Sequence, residues 1–257
     1  MNDAPTHEWM NPERATMALY RMEEFADKTN TLGFLKGIYP QINAVTFDRT
    51  LFCPGSSEQL SDVGCVRVGK NRVRLNIENV FADETGKIFH SVDPKHHKRL
   101  LKLADNAATG DPVEINVNPN HRDAIAQAHS SEHLIANAVE TLTDGRLYFE
   151  SGGTLDERGY HKFIGEQIKN LEDLRLAIQK MISEIRGTSM PRNIVFSENG
   201  DRRVGFGDMN PTRCEGTHVP FANLTPRITV DNVHPLLQNG AKKLVVVSST
   251  YRNQIQL

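Results

Sequence analysis

Cysteine is scarce in this chain: Cys53, Cys65 and Cys214 are the only three among 257 residues. They are too few and too scattered for a disulfide framework, which fits a reducing compartment. Long apolar runs are missing as well. No stretch approaches the ~20 apolar residues of a helical membrane span. The first residues, Met1 to Met17, have neither the basic start nor the apolar core of a secretory signal. These absences set the expectation of a cytoplasmic protein with no membrane partner. An excess of positive charge is also lacking: Lys and Arg number 30, Asp and Glu 32, and the net charge is -2. Non-specific nucleic-acid binders are usually strongly basic, so any such contact must come from local patches. Two patches qualify, Lys95-His-His-Lys-Arg-Leu-Leu-Lys102 and the group Arg202, Arg203 and Arg213. The plainer reading of each is a solvated helix face or loop. Internal repeats and low-complexity tracts are absent, and 38% hydrophobic residues suffice for a core.

The hydrophobic pattern divides the chain into three stretches. Residues 1–40 space their apolar side chains at three and four, with Pro12 after Asn11 as a first-turn proline and its cap, and predict a helical extension. From 41 to 118 the period is near two, as in Val73-Arg-Leu-Asn-Ile-Glu-Asn-Val80, and Asp, Gly, Asn and Pro clusters separate the runs. That texture predicts antiparallel strands forming a small barrel or sandwich, with a short basic helix over 96–105. Residues 119–257 open with a helix from His121 to about Leu142, followed by a Gly-rich loop at Ser151-Gly-Gly. A long amphipathic helix from about Gly165 to Ile185 comes next, then strands at 193–196, 203–206, 227–230 and 243–247. The expected fold class is α+β, an N-terminal small antiparallel β-barrel followed by a two-layer α/β metal-binding domain.

Two pairs of side chains carry the chemistry. In His129-Ser-Ser-Glu-His133 the imidazoles are four apart on a helix, one above the other on one face. In Cys214-Glu-Gly-Thr-His218 two further ligand types are four apart in a segment whose glycine suits a tight loop. Either pair alone is commonplace. Together they offer three nitrogens and one sulfur, a set that borderline-soft Zn²⁺ favours at ~2.0–2.3 Å in tetrahedral geometry.

These segments also resemble a known family. His129-Ser-Ser-Glu-His133-Leu-Ile is similar to the H-x-x-x-H-L-L helix in the editing domains of alanyl- and threonyl-tRNA synthetases. Arg213-Cys-Glu-Gly-Thr-His-Val219 resembles the C-G-G-T-H-V segment of alanyl-tRNA editing domains. The stretch Asp48 to Gly64 aligns without gaps on D-x-T-x-F-Y-P-E-G-G-G-Q-P-x-D-x-G, and Asp83 to Val92 resembles a strand-turn-strand ending in H-x-V. The likeness covers about residues 42–257 and includes no synthetase catalytic core, as in the free-standing alanyl-tRNA editing proteins. It implies a zinc-dependent hydrolase that removes serine, with glycine as second candidate, from the acceptor end of mischarged tRNA(Ala). It further implies that Thr50 reads the serine hydroxyl and that Gln59 contacts the substrate end. Three departures stand out: Ser56-Ser57-Glu58 replaces a triple glycine, Cys53 an aromatic residue, and Glu215 a glycine.

Glu132 is the nearest candidate general base, although helix geometry turns neighbouring residues by ~100° and sets it off the ligand face. A closed set of four protein ligands leaves no open position of the kind catalytic zinc usually keeps. Either one ligand yields, the shell expands, or the metal orients substrate. The same closed set fits an alternative, a non-catalytic or specialised aminoacyl-tRNA-binding protein with structural zinc. A third reading is transfer or hydrolysis of another aminoacyl ester. A fourth takes His129-Ser-Ser-Glu-His133 as the H-x-x-E-H helix of inverted zinc proteases, with a distal Glu as third ligand. The sequence carries no mark of oligomeric state.

Overall fold

The computed structural model describes residues 15–56, 59–155, 158–238 and 241–251. The chain divides into two compact units, Met1–Ser56 with Leu60–Asp123, and Ser57–Gln59 with Ala124–Leu257. The expected proline-capped helix start at Pro12, and Ser57 with Glu58, lie outside the described residues.

In the first unit β1 (Met17–Ala18) pairs in parallel with β4 (Arg49–Thr50). A closed antiparallel barrel is built from β2 (Asn30–Tyr39), β3 (Ala44–Phe47), β5 (Gly64–Val68), β6 (Val73–Ala82), β7 (Ile88–Val92) and β8 (Pro112–Val117). Its strand order is β2-β3-β7-β6-β5-β8, and β8 returns to pair with β2. The alternation legible in the sequence sets the faces. Val113, Ile115 and Val117 point inward from β8 to meet Val66, Val68, Leu75 and Ile77, while Glu114 and Asn116 are less buried. Burying each such aliphatic side chain stabilises the unit by ~1.5–3 kcal/mol. Helix α1 (His97–Asn106) adds Leu100 and Leu103 to the same core.

The helical expectation fails over the described part of 1–40. Leu19–Arg21 and Glu23–Phe25 form single 3-10 turns, and Asn30–Tyr39 is the barrel strand β2. Gly33 and Gly37 explain the difference, since each glycine costs a helix interior about 1 kcal/mol. Pairing with β3 and β8 then satisfies the backbone of β2.

In the second unit a four-stranded antiparallel sheet runs β14-β15-β10-β9. The strands are β9 (Leu147–Leu155), β10 (Arg158–Gly165), β14 (Arg227–Gln238) and β15 (Ala241–Tyr251). Helix α2 (Pro119–Leu142), from Ala124 onward, and α3 (Leu171–Arg186) share a core with this sheet. Leu134, Ile135 and Val139 of α2 meet Ile178 and Ile182 of α3, Phe163 of β10 and Val230 and Val246 of the hairpin. A smaller sheet joins β11 (Arg192–Phe196), β12 (Arg202–Phe206) and β13 (Thr212–Arg213). Two sequence expectations change here. Ser151-Gly-Gly is strand, not loop, and lies within β9. The second helix begins at Leu171, capped by the Asn170 side chain, whereas Gly165 ends β10 with φ +147°. No helix of the described residues is long and apolar enough to cross a membrane.

One histidine of the barrel unit is fully buried. His90 donates from Nδ1 to the Val45 carbonyl at 3.2 Å, so its Nε2 is a lone pair that accepts the Thr50 hydroxyl at 2.9 Å. The Thr50 oxygen in turn accepts the Phe52 N–H at 3.0 Å. Burial pushes the His90 pKa from 6.5 down to about 3, and the bond to Val45 only partly opposes it. The unfolded chain therefore takes up a proton as the pH falls through 6.5, and the folded chain does so only near 3. Stability falls across this window by up to about 1.4 kcal/mol per pH unit for each such proton. Urea midpoints followed from pH 6.5 to 3 should drop with a slope shallower by about one proton in His90→Asn. An unchanged slope would show that His90 is not a source of the acid sensitivity.

Candidate metal centre

Helix α2 brings His129 and His133 to one face, and the turn after β13 brings Cys214 and His218. Their ligand atoms all lie within 4.8 Å of one another. The Cys214 sulfur is 3.4 Å from Nε2 of His129 and 3.1 Å from Nε2 of His218. Ligands around a tetrahedral ion with bonds of ~2.0–2.3 Å stand about 3.3–3.7 Å apart, and the two sulfur–nitrogen distances come close to that. The three imidazole rings pack at centroid distances of 5.4, 4.6 and 4.5 Å. These four groups can hold a metal ion.

Each imidazole is fixed through its outer nitrogen. Nδ1 of His129 lies 2.8 Å from Oε1 of Gln59. The same oxygen accepts the Thr217 N–H at 2.8 Å, which identifies it as the amide oxygen and puts the proton on His129 Nδ1. The lone pair of Nε2 then faces the sulfur. His133 Nδ1 meets the Thr212 hydroxyl at 3.1 Å, and His218 Nδ1 meets Ser130 Oγ at 3.3 Å. Ser130 Oγ also accepts the Val219 N–H, tying α2 to the loop. This outer bonding is how proteins orient ligand histidines and set their tautomer. Without a cation, three nitrogen lone pairs and a sulfur would face one another, so the donor set fits a metal.

The electrostatics agree. Burial holds all three imidazoles below their ordinary pKa and therefore neutral, the form that ligates. His133 falls to about 4, through burial first and then Arg202. His129 and His218 fall well below 6.5 through burial, with the neighbouring histidines and Arg202 adding to it.

Arg202 also corrects a sequence expectation. It is 1% exposed and belongs to no surface patch. Its Nη1 donates to the carbonyls of Cys214 at 2.7 Å and Gly216 at 2.9 Å. Arg192, likewise buried, donates to the His218 carbonyl at 2.8 Å. Two guanidinium groups thus hold the turn from behind. Arg213 is exposed and pairs with Asp201. Nothing in the motif spacing marks Arg192 or Arg202; their only signal is position on strands flanking the ligand turn.

The other expected residues take distinct places. Gln59, expected from the resemblance to contact the substrate end, bonds His129 through its amide oxygen. Glu132 is buried but is not among the four converging groups. Its Oε2 lies beside Gly152, 3.1 Å from where a β-carbon would sit, and His161 Nδ1 is equally close to that point. It thus faces the β9 and β10 strands, as its offset along the helix requires. Thr50 belongs to the barrel unit and is bonded to His90. The group of four includes no carboxylate, in contrast to the third ligand of an inverted-protease helix.

Gly216 has no room for a side chain. An added β-carbon would lie 2.1 Å from Cε1 of His129 and 2.5 Å from Oε1 of Gln59. Gly216→Ala should therefore cut bound metal from about one ion per chain to a small fraction of that, and Gln59→Ala should weaken metal affinity about 10–100-fold. Metal titration against a competing chelator measures both. Wild-type affinity in Gln59→Ala would remove the supporting role assigned to that amide.

No protein-family model matches the chain. Curated relatives do. The alanine–tRNA ligase of Mycoplasmopsis agalactiae is 27% identical over 88% of this chain, and that of Halorubrum lacusprofundi 24% identical over 78%. The matched regions make up 26% and 22% of those ligases, so the chain spans about a quarter of their length. The alanyl-tRNA editing protein AlaX-M of Pyrococcus horikoshii is 25% identical over 69% of this chain and 74% of its own length.

Proposed function

We propose that this chain, a homologue of alanine–tRNA ligases and of the editing protein AlaX-M, is a zinc-dependent hydrolase that removes the wrong amino acid from tRNA(Ala). The observation that carries the reading is the convergence of His129, His133, Cys214 and His218, each imidazole held by its outer nitrogen. Three neutral nitrogens with one sulfur are a donor set suited to zinc. Bound there, the ion would polarise an ester carbonyl and make water more acidic. The chain's own residues supply geometry. Gln59 and Thr217 keep His129 in the tautomer that points Nε2 inward, while Arg202 and Arg192 keep the ligand turn closed.

Serine is the expected acyl group, with glycine second. A synthetase pocket built for alanine cannot sterically exclude glycine, and a hydrophobic pocket rejects an added hydroxyl only weakly. A second, hydrolytic site restores discrimination. Thr50 is the residue we assign to the serine hydroxyl. Its own proton goes to His90, so it meets a substrate as a hydrogen-bond acceptor. Glu132 is the candidate general base of the sequence, and its place beside Gly152 and His161 favours a supporting role instead.

A second reading has one observation in its favour. Four protein donors close a tetrahedral shell, which is the pattern of structural zinc. Under that reading the chain binds aminoacyl-tRNA without turnover.

One experiment separates the two. Purified Ser-, Gly- and Ala-tRNA(Ala) are offered to the protein with and without chelator. The expected outcome is hydrolysis of Ser-tRNA(Ala) well ahead of Ala-tRNA(Ala), abolished by chelation and restored by zinc. Tight binding with no release of any amino acid would establish the second reading. His133→Ala should abolish both metal and activity, while Glu132→Gln should cost far less. An equal fall in the two variants would make Glu132 the base.

A further inference from the structure

The barrel unit carries a cleft of about 600 Å³ between the β5–β6 turn and helix α1. Its polar lining consists of Lys70 and Asn71 from the turn, Arg99, Lys102 and Asn106 from α1, and Asp111. The basic segment 95–102 noted in the sequence supplies two of these cations, and the metal centre uses none of them. We infer that this cleft grips the phosphate backbone of the RNA substrate, an inference that rests on the proposed action on tRNA(Ala).

The argument begins with charge. Among the described residues no carboxylate forms an ion pair with Lys70, Arg99 or Lys102, whereas nearby Arg67 and Arg72 are both paired with Glu114. Three like charges gathered at one cleft repel one another, and an anion from outside relieves that repulsion. The single acid in the lining, Asp111, is engaged locally: its Oδ2 accepts the Ala108 N–H at 3.1 Å. Arg99 rests Nη1 against the Arg74 carbonyl at 3.5 Å, which steadies its guanidinium at the rim.

The lining also states what is read. Lysine, arginine and asparagine donate to phosphate and ribose oxygens without regard to sequence. No aromatic ring lines the cleft, so it has no platform on which to stack a base. A surface of this kind positions a helical stem by its backbone and takes no part in selecting the acyl group. Local charge of this sort is also how a chain of net charge -2 can hold a polyanion.

The test uses the full chain with Lys70→Glu and Lys102→Glu combined, and separately Lys70→Gln with Lys102→Gln. The neutral pair keeps the test intact if charge reversal unfolds the protein. Binding of uncharged tRNA(Ala), of an unrelated tRNA and of polyglutamate is measured across a range of KCl concentrations. The neutral pair should weaken both tRNAs about equally, by roughly 10-fold, and lower the salt slope by about 0.7–0.9 for each phosphate the cleft no longer neutralises. Hydrolysis of seryl-adenosine, an ester with no stem, should stay at the wild-type rate. Unchanged tRNA affinity and slope in both pairs would overturn the inference, as would polyglutamate competing more tightly than tRNA. Since uncharged tRNA needs no turnover, a chain that hydrolyses nothing but shows the expected drop in slope would refute the proposed function and leave the cleft assignment standing.

Discussion

The carbonyl oxygen of Gln59 is the joint on which the candidate site turns. It accepts one bond from His129 Nδ1 and one from the Thr217 backbone, and so couples a helix side chain to the turn that carries Cys214 and His218. A histidine left free to rotate would present either nitrogen. With its outer nitrogen committed, His129 can offer only Nε2, and a ligand shell formed from two distant parts of the chain becomes one rigid object. Thr212 and Ser130 repeat the device for His133 and His218. Gly216 is required because the joint leaves no space for a β-carbon.

The second constraint is electrostatic. Two buried guanidinium groups, Arg202 and Arg192, stand behind the ligand turn and donate to its carbonyls. They satisfy backbone oxygens that the turn leaves without strand partners. They also disfavour positive charge on the imidazoles and so hold them in the form that binds a cation through a lone pair. Protonation and metal binding compete for the same nitrogens. A site assembled this way would bind metal at neutral pH and lose it in acid.

The barrel unit shows the same economy with different parts. Asp62 accepts the Cys53 N–H at 2.6 Å and is held by the buried Arg122, which also bonds the Leu51 carbonyl. Leu51, Cys53 and Asp62 are thereby fastened to one another within the barrel unit. His90 and Thr50 add a fully buried polar pair whose bond directions are fixed by the Val45 carbonyl. Buried polar groups of this kind are tolerated only when their bonds are satisfied, which rigidifies the wall on which they sit.

Much of this was legible in the chain itself. The period-two runs of 41–118 gave the barrel strands because side-chain alternation is a local property that burial reads directly. The four-residue spacings in His129–His133 and Cys214–His218 marked the candidate ligands that the fold brings together, because a helical turn and a tight glycine turn each set such neighbours close to one another. Tertiary structure alone decided the rest. Residues 30–39 became strand, and Ser151-Gly-Gly became part of β9, since the hydrogen bonds that settle both come from partners far along the chain. The same distance hid Gln59 as a support of His129, separated from it by 70 positions, and hid Arg202 as a buried clamp rather than surface charge. Sequence determines which side chains can act as ligands; which neighbours orient them depends on contacts that exist only once the chain has folded.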